Sequence, residues 1–270
     1  MQAAFFDLDK TIIARSSGLM FGRDLYRGGF IGKRMLMRGA AAQFVYLLVG
    51  AGENKMEKMR EKVLALTKGW DQAKIREIVE EVMGEVITPV IYKEALELIR
   101  EHQQAGRKVV IVSSSPEEIV IPIGGLLEVD DVIATRGRID AEGRYTGELD
   151  FYCYGPGKVD EIKRMAAEQG IDLVNSYAYS DSVTDIPMLE AVGNPVVVNP
   201  DRALARHAEE TGWPILNFEK PVTIRKRIAD LAPSKRTTVT GGVALSLFAA
   251  AGYIWVKRKG KYQVFGLTRR

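Results

Sequence analysis

The sequence predicts an α/β fold: a doubly wound parallel sheet carrying a helical cap inserted after its first strand. Three observations predict it. Short, largely apolar runs recur, and each ends in a polar tip. They are Ala3 to Phe6 before Asp7-Leu8-Asp9, Lys108 to Val112 before Ser113-Ser114-Ser115-Pro116, Tyr177-Ala178-Tyr179 before Ser180-Asp181, and Val196 to Val198 before Asn199-Pro200. Runs apolar on both faces suit strands covered by helices on either side. Helical periodicity lies between the runs, and strands alternating with helices build parallel sheets. Finally, residues 14 to 88 hold helical patterns and no convincing strand, which marks an insertion.

Taken in order, Ala3 to Phe6 is the first strand, reaching a polar edge at Asp7. The insertion then shows Met56, Met59, Val63 and Leu66, followed by Ile75, Ile78, Val82 and Val86, each at helical spacing. Gly39 to Gly52 is apolar but too short to span a bilayer, and reads as a buried cap helix. Ile91, Ala95, Leu96 and Ile99 before Gly106 predict a helix, as do Val159, Ile162, Met165 and Ala166 before Gly170. Arg136 to Leu149, centred on Glu142-Gly143, predicts a β-hairpin. Thr237 to Val256 carries no charge and is flanked by Lys235-Arg236 and Lys257-Arg258-Lys259, with Tyr253 and Trp255 near one end. Its length and flanks predict a hydrophobic C-terminal helix that spans a membrane. The resulting layout is a core of residues 1–13 and 89–232, a cap of 14–88, and a basic-flanked membrane helix and tail at 233–270.

Composition narrows the function. A net charge of +3 gives no reason to expect nucleic acid. The single cysteine, Cys153, rules out an internal disulfide framework and suits a reducing compartment. No Cys-x-x-Cys or paired histidine with metal-ligand spacing is present, so zinc is not expected. The N-terminus has no basic leader, and Asp7 and Asp9 interrupt its apolar run. The expectation is a cytoplasmic catalytic domain anchored to the inner face of the cell membrane.

Ligands of open parallel sheets bind at the carboxyl edge of the strands, where all the polar tips fall. Asp7 and Asp9 stand at the first tip. A carboxylate nucleophile attacking an anionic phosphate ester needs a cation between the charges, and a second carboxyl two residues on can protonate the leaving alkoxide and then activate water. Ser113 at the second tip can hold phosphoryl oxygens or cap the helix beginning at Pro116-Glu117-Glu118. Lys158, in Gly155-Pro156-Gly157-Lys158, can neutralise the phosphate and the nucleophile together. Asp181 and Asp185 suit Mg2+, which takes few carboxylates and keeps waters and substrate oxygens. Asp185 can alternatively hold Lys158 or cap the helix from Ile186.

Together, Asp7-Leu8-Asp9-Lys10-Thr11, the strand ending at Ser113, Lys158 and Asp181-x-x-x-Asp185 resemble the motifs of the haloacid dehalogenase superfamily. More narrowly, the chain is similar to the phosphoserine-phosphatase-like subfamily. Ser113-Ser114-Ser115-Pro116, Gly157-Lys158-Val159 and Asn199-Pro200-Asp201 fit its membrane-associated bacterial branch. The resemblance implies a Mg2+-dependent phosphomonoester hydrolase working through an aspartyl-phosphate. In it Asp7 is nucleophile and metal ligand, Asp9 is acid/base and a backbone-carbonyl ligand, and Asp181 and Asp185 complete the metal set. Thr11, Ser113, Ser114 and Lys158 bind substrate. One departure bears on substrate: Ser16, beside Arg15, stands where phosphoserine phosphatases carry a glutamate for the substrate's amino group, leaving an acid such as Asp24 to substitute. The partner is then a small phosphorylated metabolite, with phosphoserine first, or alternatively a lipid phosphate such as lysophosphatidic acid or phosphatidylglycerol phosphate. A third reading is an inactive membrane scaffold.

Overall fold

A computed structural model describes residues 1–32, 61 and 64–219. Gly39 to Gly52, the cap positions Met56, Met59 and Val63, and the uncharged run Thr237 to Val256 lie outside the described residues. Among the described residues, no helix is long and apolar enough to cross a membrane.

The described strands are β1 (Ala3–Phe6), β2 (Lys108–Pro116), β3 (Asp131–Ile139), β4 (Tyr145–Phe151), β5 (Tyr177–Ser180), β6 (Asn194–Val198) and β7 (Ile215–Leu216). They form one sheet in the order β4-β3-β2-β1-β5-β6-β7, parallel except at β3–β4. β1 is central, with Phe6 opposite Ile111 of β2 on one side and Tyr179 of β5 on the other. Successive strand residues face opposite sides. Ala4 and Phe6 therefore join one apolar core, while Ala3 and Phe5 join the other. This two-sided burial is why the first run contains no polar residue; each phenylalanine contributes roughly 1.5–3 kcal/mol by leaving water.

The helices are α1 (Ser17–Met20), α2 (Gly22–Arg27), α3 (Gln72–Val86), α4 (Lys93–Gln104), α5 (Glu117–Leu126), α6 (Pro156–Gln169), α7 (Ile186–Glu190) and α8 (Arg202–Thr211). Between residues 14 and 88 the described segments are helical or irregular, with no strand among them. Asp71 opens α3 by accepting the Lys74 N–H, and Ile75, Val79 and Met83 form its buried stripe at four-residue spacing. That stripe, with Phe21, packs into the same core as Leu8, Ile12, Ile13 and Ile119. Leu66, read as part of an apolar helix face, is exposed.

Two features of the sheet differ from the sequence reading. The hairpin is present, with Gly143 at φ 77° in its turn, but its first strand begins earlier, at Asp131. Asp131 to Ala134 pair in parallel with β2 before Arg136 to Ile139 turn to pair with β4. The acids Asp130 and Asp131 hide this entry into the sheet; the Asp130 carboxylate accepts the N–H of Val109. The two-residue β7 is too short to leave any periodicity.

A buried polar cluster lies under β1. His102 of α4 shares a hydrogen bond of 2.8 Å with the Tyr179 hydroxyl, and Arg107 Nη1 sits 3.2 Å from its Nδ1. A guanidinium only donates, so Nδ1 accepts and the proton is on Nε2. Burial, reinforced by the Arg107 charge, lowers the imidazole pKa to about 4.

Candidate active site

The parallel register sets Asp7, Ser113 and Asp181 at three adjacent strand tips. Asp7 directly follows β1, and its N–H donates to the Tyr179 carbonyl (2.9 Å), which holds it beside the end of β5. Ser113 is buried near the end of β2, and Asp181 follows Ser180. Lys158 enters from the first turn of α6. Its Nζ lies 2.7 Å from Asp7 Oδ1 and 2.7 Å from Asp185 Oδ2. Ser180 Oγ donates to the same Asp185 oxygen at 2.7 Å. All four residues are buried.

Local sequence explains how a lysine reaches this depth. Gly155 takes φ 51°, and a Cβ on Gly157 would stand 2.4 Å from the Tyr152 carbonyl oxygen. Only glycine lets the chain pass so close in the first turn of α6. Burial alone would strip the ammonium of its proton, but the Asp7 and Asp185 carboxylates outweigh it and raise its pKa. Burial pushes the Asp7 carboxyl well above the usual range; Lys158 pulls against this, while Asp185 and Asp181 add to it. Asp181 is raised to about 6, chiefly by burial, with Lys10 opposing at 3.5 Å. Lys10 itself occupies the left-handed region at φ 62°, in the turn that reverses the chain after Asp9.

The Asp9 carboxylate is held elsewhere. Oδ1 accepts the Ser17 N–H (2.9 Å) and Oδ2 accepts the Ser16 hydroxyl (3.3 Å). Burial outweighs these bonds and raises its pKa. Ser16 therefore bears on the acid beside it, and Asp24 pairs with Arg27 on α2 at 3.5 Å. The Ser17 hydroxyl shares a 2.7 Å hydrogen bond with that of Ser115, whose N–H donates to Ser113 Oγ at 3.2 Å. The serine run does not cap α5: its N-cap residue is Pro116, with no side-chain cap bond. Asp185 likewise makes no cap bond to α7, because its carboxylate serves Lys158. Ser114 is exposed and its carbonyl accepts the Thr135 hydroxyl (2.8 Å). Thr11 is enclosed, and its hydroxyl has no hydrogen-bond partner among the described residues.

Ser17, Ser115 and Asp201 receive no individual site role from the sequence, although Ser115 and Asp201 fall within motifs it shows. Ser17 reaches Asp9 through its backbone N–H, which no side-chain pattern reveals. Asp201, in Asn199-Pro200-Asp201, carried a legible signal, an acid one residue before a helix start.

Among the described residues, no three histidine, cysteine, aspartate or glutamate side chains form a cluster that could hold a metal ion. Asp9 is engaged by Ser16 and Ser17, and Asp185 by both Lys158 and Ser180. Asp7 gives Lys158 one oxygen, whereas Asp181 faces Lys10 at 3.5 Å. A pair of carboxylates fits Mg2+, which takes one or two and retains waters. Burial, together with the neighbouring carboxylates, raises both pKa values, and a bound cation would favour their charged forms.

Residues 4–190 match the family of haloacid dehalogenase-like hydrolases. An inhibition of morphological differentiation protein of Streptomyces azureus is 49% identical, over 97% of this chain and 95% of its own length. A probable phosphatase of Mycobacterium tuberculosis is 46% identical, over 95% and 89%. A phosphoserine phosphatase of the same organism (92% and 80%) and a histidinol-phosphatase of Neisseria meningitidis (80% and 98%) are each 32% identical. A solved Bordetella pertussis protein of unknown function superposes with a TM-score of 0.70 at 30% identity, over 80% of this chain and 97% of that one. With its sheet order, its three acidic and hydroxyl strand tips and its buried lysine, the chain belongs to the haloacid dehalogenase-like hydrolase family.

Proposed function

We propose that the chain hydrolyses phosphomonoesters through a covalent phosphate on Asp7. An Asp7 carboxylate oxygen attacks phosphorus as the ester P–O bond breaks, and Asp9, entering as the neutral acid, gives its proton to the leaving alkoxide. Asp9, now a carboxylate, takes a proton from water. The water oxygen attacks phosphorus, the bond between phosphorus and Asp7 breaks, and inorganic phosphate leaves. Lys158, Ser113, Ser114 and Thr11 surround the phosphoryl group. Asp7, Asp181 and the Asp9 main-chain carbonyl would hold Mg2+, which when bound would supply the charge that lets an anionic nucleophile meet an anionic phosphate. Asp185 serves by fixing Lys158.

The observation that carries this reading is the lysine wedged between Asp7 and Asp185 at 2.7 Å from each, inside the protein. Burying a cation costs desolvation that its carboxylate partners offset, and such buried charged groups concentrate at sites where chemistry uses them. The test is Mg2+-dependent hydrolysis of p-nitrophenyl phosphate by wild type and Asp7→Asn. Loss of about a thousandfold or more supports the nucleophile assignment; equal activity overturns it.

For substrate we infer a small phosphorylated metabolite. Phosphoserine and histidinol phosphate, for which two relatives are named, are both phosphate esters of small amino alcohols. Ser16 supplies no carboxylate for an ammonium, so this chain would read such a group differently or act on an ester that lacks one. A phosphate-release panel of phosphoserine, histidinol phosphate and a short-chain lysophosphatidate separates these classes; turnover confined to the lysophosphatidate defeats the metabolite reading. The division into a core of 1–13 and 89–232, a cap of 14–88 and a membrane-associated tail at 233–270 on the cytoplasmic face is part of the same proposal, and its tail rests on the sequence of residues 237–256 alone.

A further inference from the structure

We infer that Asp201 is a positioning residue for the metal loop, and that it sets the affinity for Mg2+ by fixing the peptide that carries Asp181. The inference rests on the metal assignment above. Asp201 lies beyond β6 and opens α8, where its Oδ1 accepts the N–H groups of Ala203 (2.9 Å) and Leu204 (2.8 Å). Capping needs one oxygen only. The other, Oδ2, accepts the Val183 N–H at 2.9 Å, across 18 residues of sequence. The Asp201 N–H donates to the Asp181 carbonyl at 2.8 Å. One residue thus grips the loop on both sides of Ser182, at the carbonyl of the proposed ligand and at the N–H two residues on.

The grip is itself braced. Asn199, at φ 44°, accepts the Phe218 N–H (2.9 Å) through its side-chain oxygen and donates its side-chain N–H to the Phe218 carbonyl (3.2 Å). Its own N–H donates to Leu216. Within the loop, Asp185 N–H donates to the Ser182 carbonyl and Ser182 N–H to Ser180 Oγ. With its main chain so tied, Asp181 meets a cation without first ordering its backbone, and outer partners of this kind typically govern 10–100-fold in metal affinity. The Asp201 carboxylate also adds negative charge near Asp181, which favours a cation there.

Asp201→Asn and Asp201→Ser test this, because both residues still cap a helix while neither offers a second oxygen to Val183. Thermal melting of the full chain, stripped of metal and then titrated with Mg2+, reads affinity without activity. The expected result is a metal-free melting temperature close to wild type in at least one variant, with a Mg2+ half-saturation raised about tenfold or more. A wild-type Mg2+ shift that both variants reproduce at the same concentrations overturns the role of Asp201 alone. No Mg2+ shift in the wild type removes the metal site, and this inference with it.

Discussion

Replacing Lys158 with methionine keeps most of the side chain's length and apolar contact and removes the one cation between Asp7 and Asp185. At an effective dielectric near 20, each 2.7 Å contact is a gross attraction of about 6 kcal/mol. Much of that is offset in the wild type by the cost of burying three charges. Removing the shared partner leaves two buried carboxylates facing one another, a situation that costs about 3–5 kcal/mol. For a domain of this size that is a drop of roughly 10 °C in melting temperature. Without the lysine, which pulls its pKa down, the Asp7 carboxyl titrates still further above its unfolded value, so the variant's deficit is smallest in acid and grows as pH rises through the folded pKa. Adding Asp185→Asn removes one of the stranded charges and should return a good part of the loss. The assay is metal-free thermal denaturation of wild type, both single variants and the double variant at pH 5 and pH 8. A Lys158→Met melting temperature within 2–3 °C of wild type, or strictly additive losses in the double variant, would refute the account of the lysine as a shared counter-ion.

Three further outcomes are expected. His102 is neutral in the fold with a pKa of about 4, against 6.5 when exposed. Its contribution is fully present above pH 6.5 and is lost as pH falls towards 4, by at most about 3 kcal/mol. The stability difference between wild type and His102→Gln should therefore change across that window in denaturant titrations, and a constant difference rejects the assignment. Gly157→Ala brings a methyl group to 2.4 Å from the Tyr152 carbonyl, so α6 must shift at a cost of about 1–3 kcal/mol and take Lys158 with it. Activity towards p-nitrophenyl phosphate should fall more steeply than stability in paired assays of turnover and melting. Asp9→Asn should lower kcat by about 10²–10⁴ with an alkyl phosphate and by less with an aryl phosphate, whose leaving group needs no proton. Equal losses on both substrates would mean that Asp9 does not act as the acid.

Much of the fold was legible because the sheet's chemistry is local. A strand covered on both faces must be apolar throughout, and its tip must turn polar where it meets solvent, so Asp7, Ser113 and Asp181 stood out in sequence. What joins them was less legible. Lys158 looks like any helical lysine, and its burial depends on partners 151 residues before it and 27 after it. The serine run read equally well as a helix cap, and only the fold shows Ser115 and Ser17 turned on one another. Spacing puts four acids near one edge, and only the fold shows which carboxylates are already engaged, Asp9 by Ser16 and Ser17 and Asp185 by Lys158 and Ser180.

The central place of β1 also governs how the molecule comes into being. β1 has no strand beside it until Lys108 and then Tyr177 emerge from the ribosome, so the proposed nucleophile is made before its neighbours and installed late. A nascent or prematurely terminated chain ending before Ser180 lacks one whole wall of its reaction centre. Such a topology delays folding until long-range closures are made. It also leaves any fragment that stops before Ser180 without Asp181 and Asp185, so the proposed reaction requires the chain through β5 and its tip.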